Sequence, residues 1–389
     1  VLEWFPSLSL SCLSTCRSFF AATGAEEEMD FISSRSLLAL AVLEWFLFVL
    51  IFQVDAFQPS QSLLTRLKKS SNVVIDTADI DLIKTLAESD LQDVTTNPSL
   101  VRIAAEKYKG ITGISLENCL VPDDLYELTA MEFGKEILKV VSGWVCIQLD
   151  IQNSDDTFMI AFRARQLIET YEASGIPRDR IMIKLASTWE GIRACEQLEK
   201  EGIRCLMTLT VSEVQGRAAA DAGASMIATY VGRVGDWHRE QDPSLVGAPA
   251  EEDAGVRLTW GLQDYYRRHG YRTQVMAASF RSVEQVFALE GCDQLTIGPV
   301  LLKRLVELYD DGTIVKNSEP SERDLSNVDN KEAKIDDIDG YESGFRRDPC
   351  AVSVYDSSFQ GFLTDTRFVR DLFFLPRATT SPEAVRRDQ

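Results

Sequence analysis

The sequence predicts an α/β chain folded as a (β/α)8 TIM barrel, set between an N-terminal targeting region and a C-terminal extension. Three observations carry this. Apolar, strand-like runs alternate with amphipathic stretches from Asn72 to about Tyr309. Eight such runs occur, at 72–76, 93–96, 144–150, 180–185, 203–209, 224–230, 273–279 and 294–298. The helix starts between them are marked. Asn97-Pro98 puts a capping residue before a proline at the first helical position, and Ser187-x-x-Glu190 reads as a capping box. A Gly- and acid-rich stretch around Gly247–Gly255 follows the sixth run and predicts a longer loop over one barrel end.

Before the barrel, the chain opens on Val1 and its first methionine is Met29. Val-Leu-Glu-Trp-Phe occurs at 1–5 and again at 42–46, so residues 1–28 read as a segment upstream of the start, or else as an N-terminal extension. Residues 29–56 resemble a signal peptide: Arg35 precedes an apolar run from Leu37 to Val54, broken by Glu44 and Gln53. An uncleaved membrane anchor is the alternative. Residues 57–71, from Phe57, carry Ser, Lys and Arg and no acid. A signal run followed by such a stretch resembles the two-part presequence of algae with secondary plastids. The expected location is therefore the plastid, with the cytoplasm as the alternative and no membrane for the mature protein.

The barrel is expected over 72–310. Residues 311–389 read as a polar, acidic linker and a C-terminal extension of unknown role, with 315–347 poorest in apolar residues. Apolar residues return from Phe359-Gln-Gly-Phe-Leu to Phe373-Phe-Leu-Pro376.

Composition narrows the chemistry. The 389 residues are 45% hydrophobic, enough to bury a large core. With 40 basic against 60 acidic side chains the net charge is −20, which argues against a nucleic-acid surface but leaves room for one or two cations on a small phosphate. Eight scattered cysteines form no C-x-x-C pair, so reduced thiols are expected, with neither disulfides nor zinc. Two histidines, His238 and His269, leave little material for metal or His-triad chemistry. No metal and no cofactor are expected, and acid–base work falls to carboxylates, Tyr, Lys or water.

Alternate side chains of a barrel strand point inward, and chemistry gathers at the carboxyl ends. Strand four reads Ile181, Met182, Ile183, Lys184, Leu185. Apolar neighbours hold Lys184 from water, and burial favours the neutral amine that a Schiff base requires. A core lysine paired with an acid is the competing reading for such a lysine taken alone.

The neighbouring blocks decide between them. Asp76-Thr-Ala-Asp79, Thr95-Thr-Asn-Pro-Ser-Leu100, Ile181 through Arg193, Tyr230-Val-Gly-Arg233, Ala278-Ser-Phe-Arg281 and Gly291 through Ile297 resemble the blocks of the transaldolase family, in the family's order, over roughly residues 72–310. The resemblance implies a Schiff-base sugar-phosphate enzyme. Lys184 would carry the Schiff base and Asp76 the acid–base role at the substrate C4 hydroxyl. Thr208 would position the water of dehydration. Thr95 and Asn97 would line the substrate site, Asn97 holding hydroxyls, while Arg233, Ser279 and Arg281 would grip phosphate. Two guanidiniums and a hydroxyl at one barrel mouth suit a phosphate dianion. Family members are often homo-oligomers, which no surface stripe in the sequence establishes here.

The departures are informative. Ordinary transaldolases carry a glutamate on strand three, where this chain has Gln148. Leu206, Ala228 and Tyr230 also differ, and all four substitutions are similar to the fructose-6-phosphate aldolase branch. Gln148 cannot transfer a proton as a carboxyl group can, and by strand parity Tyr230 offers a hydroxyl to the same cavity. The expected activity is transfer of a dihydroxyacetone unit between sugar phosphates, as in the pentose phosphate pathway. The alternatives are an aldolase that releases the unit, and a non-catalytic barrel acting as a scaffold.

Overall fold

A computed structural model describes residues 61–108, 125–309, 334–335 and 337–372. The expected signal-like run, with residues 1–28, lies outside the described residues. All eight expected strands form: β1 (Asn72–Asp76), β2 (Val94–Thr95), β3 (Val145–Gln148), β4 (Ile181–Ala186), β5 (Cys205–Thr210), β6 (Met226–Tyr230), β7 (Gln274–Ala278) and β8 (Gln294–Ile297). They pair in parallel and in sequence order, and β8 closes on β1. Strands buried on both faces read as continuous apolar runs, which is why the pattern could be read at all.

Odd-numbered residues such as Ile75, Ile147, Ile183, Ile227 and Val275 face outward into the core beneath the helices. Even-numbered ones face the lumen, where Val74, Cys146, Met182, Leu206, Met226, Ala228 and Met276 form a separate apolar plug. The register of β5 on β6 shifts between Met207 and Thr210, and Leu209 takes a left-handed φ of 59°. Such a bulge re-aims side chains at a barrel rim.

Two boundaries differ from the sequence reading. Within the transit-like stretch, α1 (Leu63–Leu67) packs Leu63, Leu64 and Leu67 into the main core. Its Arg66 makes a buried ion pair with Glu290 (2.8 Å) and lies over the Phe287 ring. The basic composition concealed a short amphipathic helix whose cation is a core contact.

Within the supposed linker, α12 (Ile338–Arg346) forms, and α13 (Pro349–Asp371) follows it. Few apolar residues hold α12: its buried residue is Tyr341, whose ring stacks on Phe345 (centroids 6.3 Å apart) and whose hydroxyl donates to the Ser187 carbonyl. On α13, Cys350, Ala351, Val354, Ser358, Phe362, Thr366 and Val369 are buried at helical spacing. Cys350, Ala351, Val354 and Phe362 join Ala186, Leu209, Tyr230 and Ala278, residues at the carboxyl ends of four strands. The helix therefore roofs the barrel mouth. At one end Asp365 accepts from Ser99 and pairs with Arg102 (2.8 Å); further on, Arg370 meets Asp150 (2.5 Å) and Gln152 (2.9 Å).

Capping follows the expected chemistry with one shift. Asn97 caps α3 (Pro98–Lys107), accepting from Leu100 N at 3.1 Å. The cap of α6 is Thr188, which accepts from Gly191 N, with the helix running Trp189–Lys200; Ser187 instead bonds Thr210 in the interior. Here α2 is Ile80–Ala87, α4 is Leu125–Leu138 and α5 is Thr157–Ala173. Residues 242–253, which take in most of the Gly- and acid-rich stretch, join α8 (Val231–Gln241) to α9 (Ala254–His269), after α7 (Glu213–Asp221), through two short 3-10 turns. Asp253 ends the stretch by capping α9 and pairing with Arg239 (2.6 Å). Among the described residues no helix is long and apolar enough to cross a membrane.

Candidate active site

One step along each strand from the apolar plug, the lumen turns polar. Lys184 on β4 is 5% exposed, and its Nζ donates to the Thr96 carbonyl at 3.2 Å. Gln148 on β3 is its register partner, so the two side chains share the inner face. The Gln148 side chain is buried, and neither amide atom finds a protein partner among the described residues. A buried amide with unmet bonding capacity beside Lys184 is a natural contact for a bound polar molecule.

Asp76 ends β1, opposite Thr95 on β2. Thr95 donates from Oγ1 to Asp76 Oδ1 at 2.9 Å and also meets Thr296 Oγ1 on β8. Burial in the barrel wall raises the Asp76 carboxyl above its ordinary range, against the opposing pull of Lys184, the Thr95 hydrogen bond and Arg233. A carboxylate in that state takes up a proton more readily than a solvated one, as an acid–base group must.

Across the lumen, Tyr230 and Thr208 share a hydrogen bond of 3.1 Å between their hydroxyls, and both are buried. Tyr230 ends β6, and the chain then starts α8 directly. That turn carries Arg233 over the Tyr230 ring, 5.1 Å from its centroid, and over the Phe362 ring at 5.7 Å. Arg233 Nη1 donates to Ser358 Oγ on the roof helix at 2.5 Å.

The remaining expected residues sit at the rim. Ser279 follows β7 with a left-handed φ of 65°, and its carbonyl accepts from Gly232 N at 3.1 Å. A Cβ on Gly232 would collide with that carbonyl and with the Arg281 side chain, so close approach of the two segments requires glycine there. The side chain of Arg281 is 48% exposed, and its Nε bonds Asp236 at 2.8 Å. Asp76, Thr95, Gln148, Lys184, Thr208 and Tyr230 thus line one end of the lumen, with Asn97 at the α3 start. Arg233 lies above them, and Arg281 stands at the flank of α8, bonded to Asp236.

A family model described as transaldolase/fructose-6-phosphate aldolase matches residues 73–371. The chain belongs to this family. Its match reaches the end of α13, so the roof helix is part of the transaldolase/aldolase domain and not an appendage. The chain is 43% identical over 275 residues to transaldolase 1 of Pectobacterium atrosepticum, covering 68% of this chain and 82% of that protein. It is 45% identical over 259 residues to the transaldolase of Aliivibrio fischeri (63% and 79%). It is 39% identical over 312 residues to that of Edwardsiella ictaluri (78% and 95%).

Three contributors were missed from sequence. Thr296 was visible in principle, since its even number puts it on the inner face of β8. Ser358 and Phe362 carried no signal, because their contacts with Arg233 exist only once the tail lies on the barrel. Cys195, Glu199 and Cys205 also bring possible metal-binding atoms within 4.8 Å of one another. The Glu199 carboxylate there already accepts from Cys205 N, Ser225 N and Ser225 Oγ, which accounts for it as a structural brace.

Proposed function

We propose that this chain transfers a dihydroxyacetone unit between sugar phosphates through a Schiff base on Lys184. The observation that carries the proposal is the buried Lys184 amine in one polar layer with Asp76, Gln148 and the Thr208–Tyr230 hydroxyl pair. Its membership of the family and its identity to proteins named transaldolase support it.

In this reading the Lys184 amine attacks the ketose C2 carbonyl and forms a carbinolamine. The Thr208–Tyr230 pair delivers a proton to the departing hydroxyl through water, and the imine forms as water leaves. Gln148 holds the carbinolamine oxygen. Asp76 then takes the C4 hydroxyl proton, the C3–C4 bond breaks, and its electrons enter the imine to give an enamine. The released aldose phosphate leaves, and an incoming one captures the enamine by the reverse sequence. Arg233 holds the phosphate, with Asn97, Thr95, Ser279 and Arg281 lining the approach.

A second reading is favoured by one observation: strand three carries Gln148, an amide that transfers no proton, while the Tyr230 hydroxyl stands in the same lumen beside Thr208. An aldolase would protonate the same enamine and release dihydroxyacetone. Incubation with fructose 6-phosphate and borohydride should give a covalent adduct on Lys184, located by peptide mass analysis. Absence of the adduct, where another transaldolase forms one, would leave the scaffold reading standing. Product release that strictly needs erythrose 4-phosphate marks the transferase, and free dihydroxyacetone without acceptor marks the aldolase.

Plastid delivery is part of the proposal. The signal-like run and the hydroxylated stretch after Phe57 support it, with the leader ending before α1, whose leucines are core. A fluorescent fusion of residues 29–62 that stays in the cytoplasm of an alga with secondary plastids would refute it.

A further inference from the structure

Arg233, above the site, has an unusual setting. The Ser358 hydroxyl donates its proton to the Val354 carbonyl at 2.6 Å, so its oxygen is left to accept from Arg233 Nη1 at 2.5 Å. Ser358 is 1% exposed and Phe362, one turn on, is also buried. The Phe362 and Tyr230 rings each present a face to the guanidinium, which favours a cation without neutralising it. Among the described residues no carboxylate forms an ion pair with Arg233. Arg281, by contrast, is half exposed and already paired with Asp236. A guanidinium oriented by a neutral hydroxyl keeps its full charge for an incoming dianion, and its other nitrogens, which bond no described residue, suit a two-pronged contact.

The helix that supplies these contacts is held in place. Asp365 ties it to Ser99 and Arg102 on α3, and Arg370 ties it to Asp150 beyond β3. It cannot drift from Arg233 without breaking both attachments.

We infer that Ser358 and Phe362 of the roof helix are positioning residues that hold Arg233 as the pre-oriented phosphate anchor, so that preference for phosphorylated substrates is set by the C-terminal helix. The inference rests on the sugar-phosphate reading above. It differs from an ordinary packing role in one respect: its loss should fall on phosphate and spare the reacting carbon.

The direct test is calorimetric titration of the full chain with inorganic phosphate, which needs no turnover. Arg233→Ala should abolish measurable binding, and Ser358→Ala should weaken it about tenfold, the scale of one lost hydrogen bond to a charged group. In the transfer assay, Ser358→Ala should raise KM for glyceraldehyde 3-phosphate by about the same factor. Its KM for unphosphorylated glyceraldehyde should change less than twofold, with kcat nearly unchanged. Phe362→Leu should show the same selective pattern, more weakly, and serves if Ser358→Ala is poorly folded. Equal losses on both aldehydes, or unchanged phosphate affinity in both variants, would overturn the inference. A wild type that binds phosphate but forms no borohydride adduct would sink the catalytic reading and leave the anchor intact.

Discussion

Two levels of the barrel lumen differ by only two residues along each strand. At the lower level stand Val74, Cys146, Met182, Leu206, Ala228 and Met276; at the upper level the same strands present Asp76, Gln148, Lys184, Thr208, Tyr230 and Ala278. Parity and backbone are shared, so local conformation does not distinguish them. What differs is what each level meets. The lower one is closed by its own side chains, where an unpaired polar group would be left without a partner and only close packing stabilises. The upper one lies at the mouth beneath α13, where polar groups from five of these strands gather and can meet a substrate. The comparison teaches that the plug is a platform: its apolar rigidity sets the positions of the polar groups above it.

The comparison breaks most sharply at Lys184. Lys184→Arg keeps a long basic side chain but removes the nucleophilic amine, so borohydride trapping should vanish and turnover should fall below detection. Next is Asp76→Asn, for which a loss of about 10²–10⁴-fold in kcat is expected. The same variant should be more heat-stable than the wild type at pH 7, by a few degrees in a thermal melt. The sign follows from the raised carboxyl: folding favours its protonated form, so the benefit is complete below the ordinary aspartate value of 3.8 and is lost as pH rises through the folded value. The two proteins should therefore melt together near pH 3.5 and separate as pH rises. A wild type that melts higher than the variant at pH 7 would contradict this.

Tyr230→Phe should slow imine formation about 10²-fold in single-turnover trapping, if the Thr208–Tyr230 pair serves dehydration. Normal trapping in that variant would remove Tyr230 from the mechanism. The smallest chemical effect is expected from the lower level. Met276→Ala should lower unfolding stability by about 2–5 kcal/mol in urea, while kcat of the folded protein stays within about twofold. A large loss of kcat there would show that the plug does more than support.

Much of the barrel could be read in advance because its strands are buried on both faces and spell themselves as apolar runs. Lys184 stood out because a lysine interrupts such a run. Asn97 was identifiable as a cap from the proline after it. Two helices were hidden in the sequence for one reason. Residues 63–67 were assigned by their basic composition, and 338–346 by scarcity of apolar side chains, yet each buries one narrow helical stripe against a surface elsewhere in the chain. The hydrogen bond from Arg281 to Asp236, four residues beyond Gly232 on α8, likewise had no local signal.

Sequence alone determined the strand order, the inward parity and the identity of the groups at the strand ends, because period-two alternation and chain direction are local properties. Tertiary structure alone decided which of those groups have partners. Thr95 meets Thr296 across 201 residues, Arg233 finds Ser358 across 125, and Ser99 holds Asp365 across 266. No local pattern encodes such pairs, since barrel closure and the docking of α13 create them together.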